Sequence, residues 1–391
     1  MDRSNVTFLD LPDEILLIIL KKLDNMDVLY SLLDVDNQRL DTIILDKAFT
    51  KTLNFVLTTI ADDVLSIADS MLNRYCSNIL PKIDHNVTSL ILEAEAMERI
   101  LLAADYPNLT ELKLFNVIDY IVSHYFTVES PFRRIFQQQI TDFTLLNCTE
   151  YRSSVVSNIN NLPNMKCFSL ECRCSTNQYD THVLPLLRRM SNLEELSLNI
   201  INEKRTSCVD DTQINENILV HMPRLNKFTF YISTGTKLNH IVHHLSNHDI
   251  QRTFTNIGYQ QICCFLNRIS NGVICHAFSL PFAFDYLEYI GNTFPSMVFN
   301  HVIELAVHDI LPFKHEFCMR ITRCFPLLKI MRVLNSRPQL QLSHEFNSND
   351  NQFHSIAEYP YLTSLSLLYS HTDYVEQFLN QTKTYLPRLS E

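Results

Sequence analysis

Glycine is nearly missing from this chain: only Gly235, Gly258, Gly272 and Gly291 occur in 391 residues. Loops that cradle phosphate use clustered glycines, which supply positive φ and let the backbone approach the ligand closely. With these four standing alone, no dinucleotide fingerprint, phosphate-binding loop or nucleophile elbow can be written, which excludes most nucleotide-using enzymes. Positive charge is also short. Lys and Arg number 32 against 43 Asp and Glu, a net charge of −11, so the basic face that phosphate backbones require is not expected, and neither is a nucleic-acid partner. No stretch approaches the ~20 apolar residues that span a bilayer. The run Ile15–Leu20 follows Asp10, Asp13 and Glu14, unlike a secretory leader. These absences predict a soluble protein of the cytoplasm and/or nucleus, with no membrane partner and no cofactor.

Apolar residues make up 46% of the sequence, which is ordinary for a folded chain. Eleven cysteines, odd in number and irregular in spacing, read as free thiols in a reducing compartment. Glycosylation sequons occur at Asn5, Asn86, Asn108, Asn147 and Asn380; without an entry signal they carry no meaning beyond chance.

The first fifty residues predict three short helices. Leu11-Pro12-Asp13-Glu14-Ile15-Leu16 opens the first. Proline suits its first position, where no N–H partner is needed, and Asp13 and Glu14 suit the positive end of the dipole. The helix is predicted to continue to Leu23. Asp27 is expected to cap a second helix carrying Leu29, Leu32 and Leu33, and Leu40, Ile43 and Ile44 mark a third. The first helix is apolar almost all round. A bundle of roughly 40 residues buries too little surface to cover such a helix alone, so one of its faces needs a partner or the rest of the chain.

The hexapeptide Leu11–Leu16, followed by Ile19, Leu23, Asp27-Val28-Leu29, Leu32 and Val35, resembles an F-box, over about residues 8–50. In that family the stretch after Val35 is basic and bears tryptophan; here it reads Asp36-Asn37-Gln38-Arg39-Leu40-Asp41, and the chain has no tryptophan. The resemblance implies docking on the Skp-type adaptor of a cullin ubiquitin ligase. The contact residues expected are Leu11, Pro12, Ile15, Ile19, Leu23, Leu29, Leu32 and Val35. Some of them must instead form the module's own core.

Phe49 and the run Leu53–Leu57 lead out of the helices in a pattern that fits a strand, and after a helical linker or cap over 51–84, residues 85–391 repeat one phrase, Pro-x-apolar-x-x-apolar-x-apolar. It occurs at Pro107 with Leu109, Leu112 and Leu114, and again from Pro163, Pro223, Pro326 and Pro360; Ser191 replaces the proline before Leu193. Versions without proline are Val87-Leu90-Leu92, Ile140-Phe143-Leu145, Cys275-Phe278-Leu280 and Val302-Leu305-Val307. Apolar residues two apart share one face of a strand. Helical patterns follow at Ala94–Ala104, Val183–Met190, Ile214–Met222, Phe317–Phe325 and Tyr374–Leu386. A strand and a helix every 25–30 residues cannot bury their own apolar face, so stacked repeats must share one core. The array resembles a leucine-rich-repeat solenoid. The fold class expected is therefore α/β: a three-helix F-box, then an irregular right-handed solenoid of about ten repeats with a gap near 235–270. The family's Asn or Cys ladder is not in register, because its places hold Val117, Arg173, Ile201 and Ser233, while Asn116 and Cys172 fall one residue early. An ordinary doubly wound domain would show continuous apolar strands and glycine-bearing turns, which are absent. Pro387-Arg388-Leu389 opens another phrase shortly before Glu391, so the last repeat is expected to pair with something or to belong to a longer chain.

Candidate chemistry is thin. Cys167, Cys172 and Cys174 with His182 could hold a metal but lack paired zinc knuckles, and His240, His243, His244 and His248, which could share a helix face, have no carboxylate-rich second shell and read as a polar helix surface. Cys263 and Cys264 read as buried small hydrophobes. No nucleophile, base and orienting acid can be assembled, so neither enzyme activity nor a metal is expected. The expected function is substrate recognition for a Skp-cullin-F-box ligase, with the repeats binding a protein target; the alternative is a repeat scaffold with no ubiquitin link.

Overall fold

The computed structural model describes residues 8–58, 64–116, 130–146, 161–205, 207–237, 261–270, 272–339 and 356–390. The protein is mixed α/β, with a large, mostly parallel sheet and no closed barrel among the described residues. The chain divides into two units. One comprises 1–174, 180–197 and 221–227; the other comprises 175–179, 198–220 and 228–391.

The first unit opens with α1 (Asp13–Leu20), α2 (Asn25–Leu32), α3 (Gln38–Ile44) and α4 (Lys47–Thr50). The α1 helix stops three residues before the expected Leu23 and ends in a turn, where Leu23 N–H donates to Leu20 C=O. The cap of α2 is Asp24, not Asp27: its carboxylate accepts from Met26 N–H at 2.8 Å. Asn37 caps α3. The linker is more than helical. It carries β1 (Thr52–Asn54) and a hairpin of β2 (Val56–Thr58) and β3 (Val64–Ser66) before α5 (Asp69–Arg74) and α6 (Leu80–Ile83).

Parallel strands then follow the repeated phrase: β4 (Ser89–Glu93), β5 (Glu111–Phe115), β6 (Asp142–Leu146) and β7 (Cys167–Thr176). Register aligns Leu90, Leu112, Phe143 and Phe168 in one row and Leu92, Leu114, Leu145 and Leu170 in the next. All eight are buried, so the i, i+2 pairs make two continuous apolar rows. The residue after each first anchor forms a second regularity. Thr110 N–H donates to Thr88 C=O, Thr141 to Thr110, Lys166 to Thr141, Glu194 to Lys166 and Asn226 to Glu194. Helix α7 (Ala94–Ala103) connects β4 to β5, and α8 (Leu184–Leu187) precedes β8 (Glu195–Arg205). The chain passes between units within β7, β8 and β9 (Lys227–Lys237), with α9 (Asp211–Asn217) in the second.

In the second unit, β10 (Ile262–Ile269) and β11 (Gly272–Ser279) form an antiparallel hairpin, and β11 pairs antiparallel with β9. Cys275-Phe278-Leu280 is therefore not a repeat of the parallel array. The phrase resumes at Phe284 and Leu287, which the sequence reading passed over. Beyond the hairpin, β12 (Tyr286–Ile290), β13 (Glu304–His308), β14 (Ile330–Leu334) and, after the short β15 (Ala357–Glu358), β16 (Ser364–Ser366) make a parallel sheet. The backbone ladder returns, with Ile303 donating to Asp285, Lys329 to Ile303 and Thr363 to Lys329. Helices α10 (His315–Cys324) and α11 (Thr372–Leu379) pack an aromatic core that includes Phe278, Phe282, Phe299, Phe317 and Phe325. After α11, β17 (Thr384–Tyr385) pairs with β15.

Side chains one residue early take the place of the missing polar ladder. Asn116, at φ 54°, donates to Glu93 Oε1. Asp309 accepts from the backbone of Asn292 and Leu311. Asn335 donates to Leu311 C=O at 2.7 Å and accepts from Arg337 N–H. Asp309 and Asn335 satisfy backbone where a strand gives way to a turn.

Candidate functional site

Two stripes run along α1. Leu16 and Leu20 face inward and are fully buried, whereas Ile15, Ile18 and Ile19, at i, i+3 and i+4, stay outside. A helical repeat of 3.6 residues places these sets on adjacent faces. Leu23 and Val35 extend the exposed set, as do Phe8 and Leu9 ahead of the helix. Ile18 and Leu23 keep 57% and 56% of their surface, which is unusual for residues that normally sit inside.

The eight residues singled out from sequence now separate. Ile15, Ile19, Leu23 and Val35 are exposed apolar groups. Pro12 is exposed and caps α1; Leu11 and Leu32 are half-buried. Leu29 is completely buried beside Val28, so it belongs to the module's own core and offers no contact surface. Ile18, Phe8 and Leu9 were missed, although the i+3 step from Ile15 to Ile18 was visible.

The exposed face is held rigidly from behind. Arg39, from the stretch after Val35, donates to Leu9 C=O at 2.7 Å and to Leu11 C=O, and pairs with Asp13. One guanidinium thus fixes the segment entering α1 to α3, using its planar fork of donors. Asn25 donates to Phe49 and Thr52 carbonyls, tying α2 to the end of α4 and to β1. The Tyr75 hydroxyl donates to Met26 C=O; burial, then the nearby Asp24 and Asp27, push its pKa far up, which keeps it a donor. Arg74 reaches Leu33 C=O at 3.1 Å. The helices are therefore built into the first unit rather than standing apart.

Among the described residues the remaining candidates are not gathered into one cluster. Among the described residues no three His, Cys, Asp or Glu gather as metal ligands would. Cys167 has its thiol pushed up to about 12, by burial and then by Asp142. His182 Nδ1 bonds the neighbouring Thr181 hydroxyl. Burial raises Cys263 to about 11 and Cys264 further still, so neither is a thiolate near neutrality. The cluster His240, His243, His244 and His248 lies outside the described residues. No helix among the described residues is long and apolar enough to cross a membrane. No protein-family model matches the chain, and no curated protein matches it.

Proposed function

We propose that this chain is the substrate-recognition adaptor of a Skp-cullin-F-box ubiquitin ligase. The exposed stripe Ile15, Ile18 and Ile19, continued by Leu23 and Val35, carries the reading. It occupies the helix that bears the F-box-like hexapeptide, and a buried stripe on the same helix fixes its orientation. The seven exposed apolar residues, counted with Phe8 and Leu9, are each about half covered already. Covering the rest contributes roughly 1 kcal/mol per residue, or roughly 7 kcal/mol together. Micromolar binding needs about 8 kcal/mol net of association costs. The stripe can anchor an adaptor, but polar contacts around its rim must complete the interface.

The chain does no chemistry in this scheme. The repeats hold a protein target and the helices hold the adaptor, and through it a cullin. Tethering places the target beside a charged ubiquitin-conjugating enzyme at high effective concentration. The test is co-purification of the full chain with a Skp-type adaptor. Wild type is expected to bind at micromolar concentration, and the double variant Ile15→Asp, Ile19→Asp to lose binding while keeping its unfolding midpoint. If wild type fails to bind, the chain is instead a repeat scaffold with no ubiquitin link.

A further inference from the structure

A cavity of about 500 Å³ opens within the second unit. Its walls are aliphatic: Ile201 from β8, Ile269 and Ile274 from the hairpin, and Leu334 from β14. Gly235 is also in the lining, and a Cβ there would meet nothing nearer than 3.7 Å, so the position has room for a side chain. Asn202, Ser233 and Thr236 also line it, and three further groups interrupt the aliphatic part. Glu203 places a carboxylate at an exposed position, and Tyr289 and His308 present two half-buried rings with centroids 6.0 Å apart at 65°.

The two rings are positioned by unusual means. Asn267, nearly wholly buried, donates its amide to Tyr289 C=O at 2.7 Å and to His308 C=O at 2.6 Å. Tyr289 sits at φ 54°, a region rare for a bulky residue, where the pairing of β12 with β13 shifts register between Leu287 and Ile290. Bulges and strained residues of this kind re-aim side chains beside functional sites. Two residues on, Gly291 leaves no free room for a side chain, because a Cβ there would overlap Asn267 Oδ1 and Asp309 Oδ2. Burial lowers the His308 pKa, which favours an uncharged ring near neutral pH. Glu203 lines the same cavity as the two rings.

Aliphatic walls leading to a carboxylate and aromatic faces fit a long side chain with an apolar stem and a flat cationic head. We propose that this cavity takes an arginine side chain of a partner protein, with its stem along Ile201 and Ile274 and its guanidinium against Tyr289 and His308, paired with Glu203. Arginine suits the site better than lysine because a planar, weakly hydrated guanidinium can stack and bond a carboxylate through two parallel donors. The assignment rests on the reading of the repeats as the target-recruiting surface.

The test is calorimetric titration of the full chain with acetyl-Gly-Arg-Gly-amide and with its citrulline and lysine counterparts. The arginine peptide is expected to saturate the protein. The uncharged citrulline peptide, and the arginine peptide on Glu203→Gln, should each bind about tenfold or more weakly. Gly235→Val narrows the cavity at an unstrained position and should weaken binding about tenfold or more with the urea midpoint preserved. Failure of the arginine peptide to saturate at millimolar concentration overturns the proposal, as does equal binding by citrulline or by Glu203→Gln; equal binding by lysine overturns the guanidinium assignment. Peptide and adaptor binding are read separately, so a chain that binds arginine but no adaptor retains the cavity and loses the ligase role.

Discussion

In α1, aliphatic side chains lie outside: Ile15, Ile18 and Ile19 meet solvent while Leu16 and Leu20 pack beneath them. In the second unit the arrangement is reversed. Phe278, Phe282 and Phe299 are sealed into a core of edge-to-face and tilted rings, and polar groups are buried with them. His276 is the clearest case. It stacks on Phe265 at 4.4 Å and bonds the Tyr231 hydroxyl through Nδ1, and the buried Asn267 carries an Oδ1 with no partner. The two regions break the rule of apolar inside and polar outside in opposite senses, and on the readings proposed above they would bind partners of different kinds.

The sharpest way to break this comparison is to truncate the same kind of residue in each place. Phe299→Ala removes a ring packed on Phe282 and Phe325 and leaves a cavity. It should cost about 3–5 kcal/mol in urea unfolding. A loss below about 1 kcal/mol would mean that this core is loosely packed.

Gly291→Ala probes the polar side of the same unit. The new methyl must shift both the Asn267 amide, which holds the Tyr289 and His308 carbonyls, and the Asp309 carboxylate. Overpacking of this type costs about 1–3 kcal/mol, and the arginine peptide should bind less tightly because Tyr289 is no longer fixed. An unchanged midpoint and unchanged binding together would show that the bulge does not depend on the amide.

Two buried groups make pH a finer probe. Burial lowers the His276 pKa from 6.5 to about 3. The unfolded chain takes up this proton first, so the stability due to neutral His276 is whole above pH 6.5 and is lost as pH falls from there toward 3. Glu288, which accepts from the Tyr286 hydroxyl, has its pKa raised by burial from 4.5 to about 7. Its contribution has the opposite sign: whole below pH 4.5 and lost as pH rises through 7. Between 4.5 and 6.5 the slopes oppose and the wild type should look flat. His276→Gln removes one of them. Relative to wild type, the variant should gain up to about 1.4 kcal/mol per pH unit on acidification below 6.5. A constant difference from pH 7 to 5, measured by urea unfolding, would show that His276 is not held neutral.

Much of the parallel array could be read from sequence because its signal is local. The pairs Leu112 with Leu114 and Phe143 with Leu145 name both the face and the register. Cys275-Phe278-Leu280 misled because a strand buried on both faces satisfies an alternating pattern at either parity; all of β11 is buried. The docking residues were only partly separable. Leu29 and Leu32 sit on one helix at similar spacing, and which of them is covered depends on α4, β1 and Tyr75, which are distant in sequence. Nothing local marks Asn267 either, since its partners lie 22 and 41 residues away.

The smallest effect is the most diagnostic. Ile18→Ala removes an aliphatic side chain, as does truncation of the core, but from a position that retains more than half of its exposure. Little burial is lost, and alanine favours helix over isoleucine by a few tenths of a kcal/mol. The unfolding free energy should therefore move by no more than about 0.5 kcal/mol, while adaptor binding weakens several-fold. A loss of several kcal/mol would place Ile18 inside the first unit's own core. In that case α1 would have no uncovered face, and the physical reason for expecting a partner there would disappear.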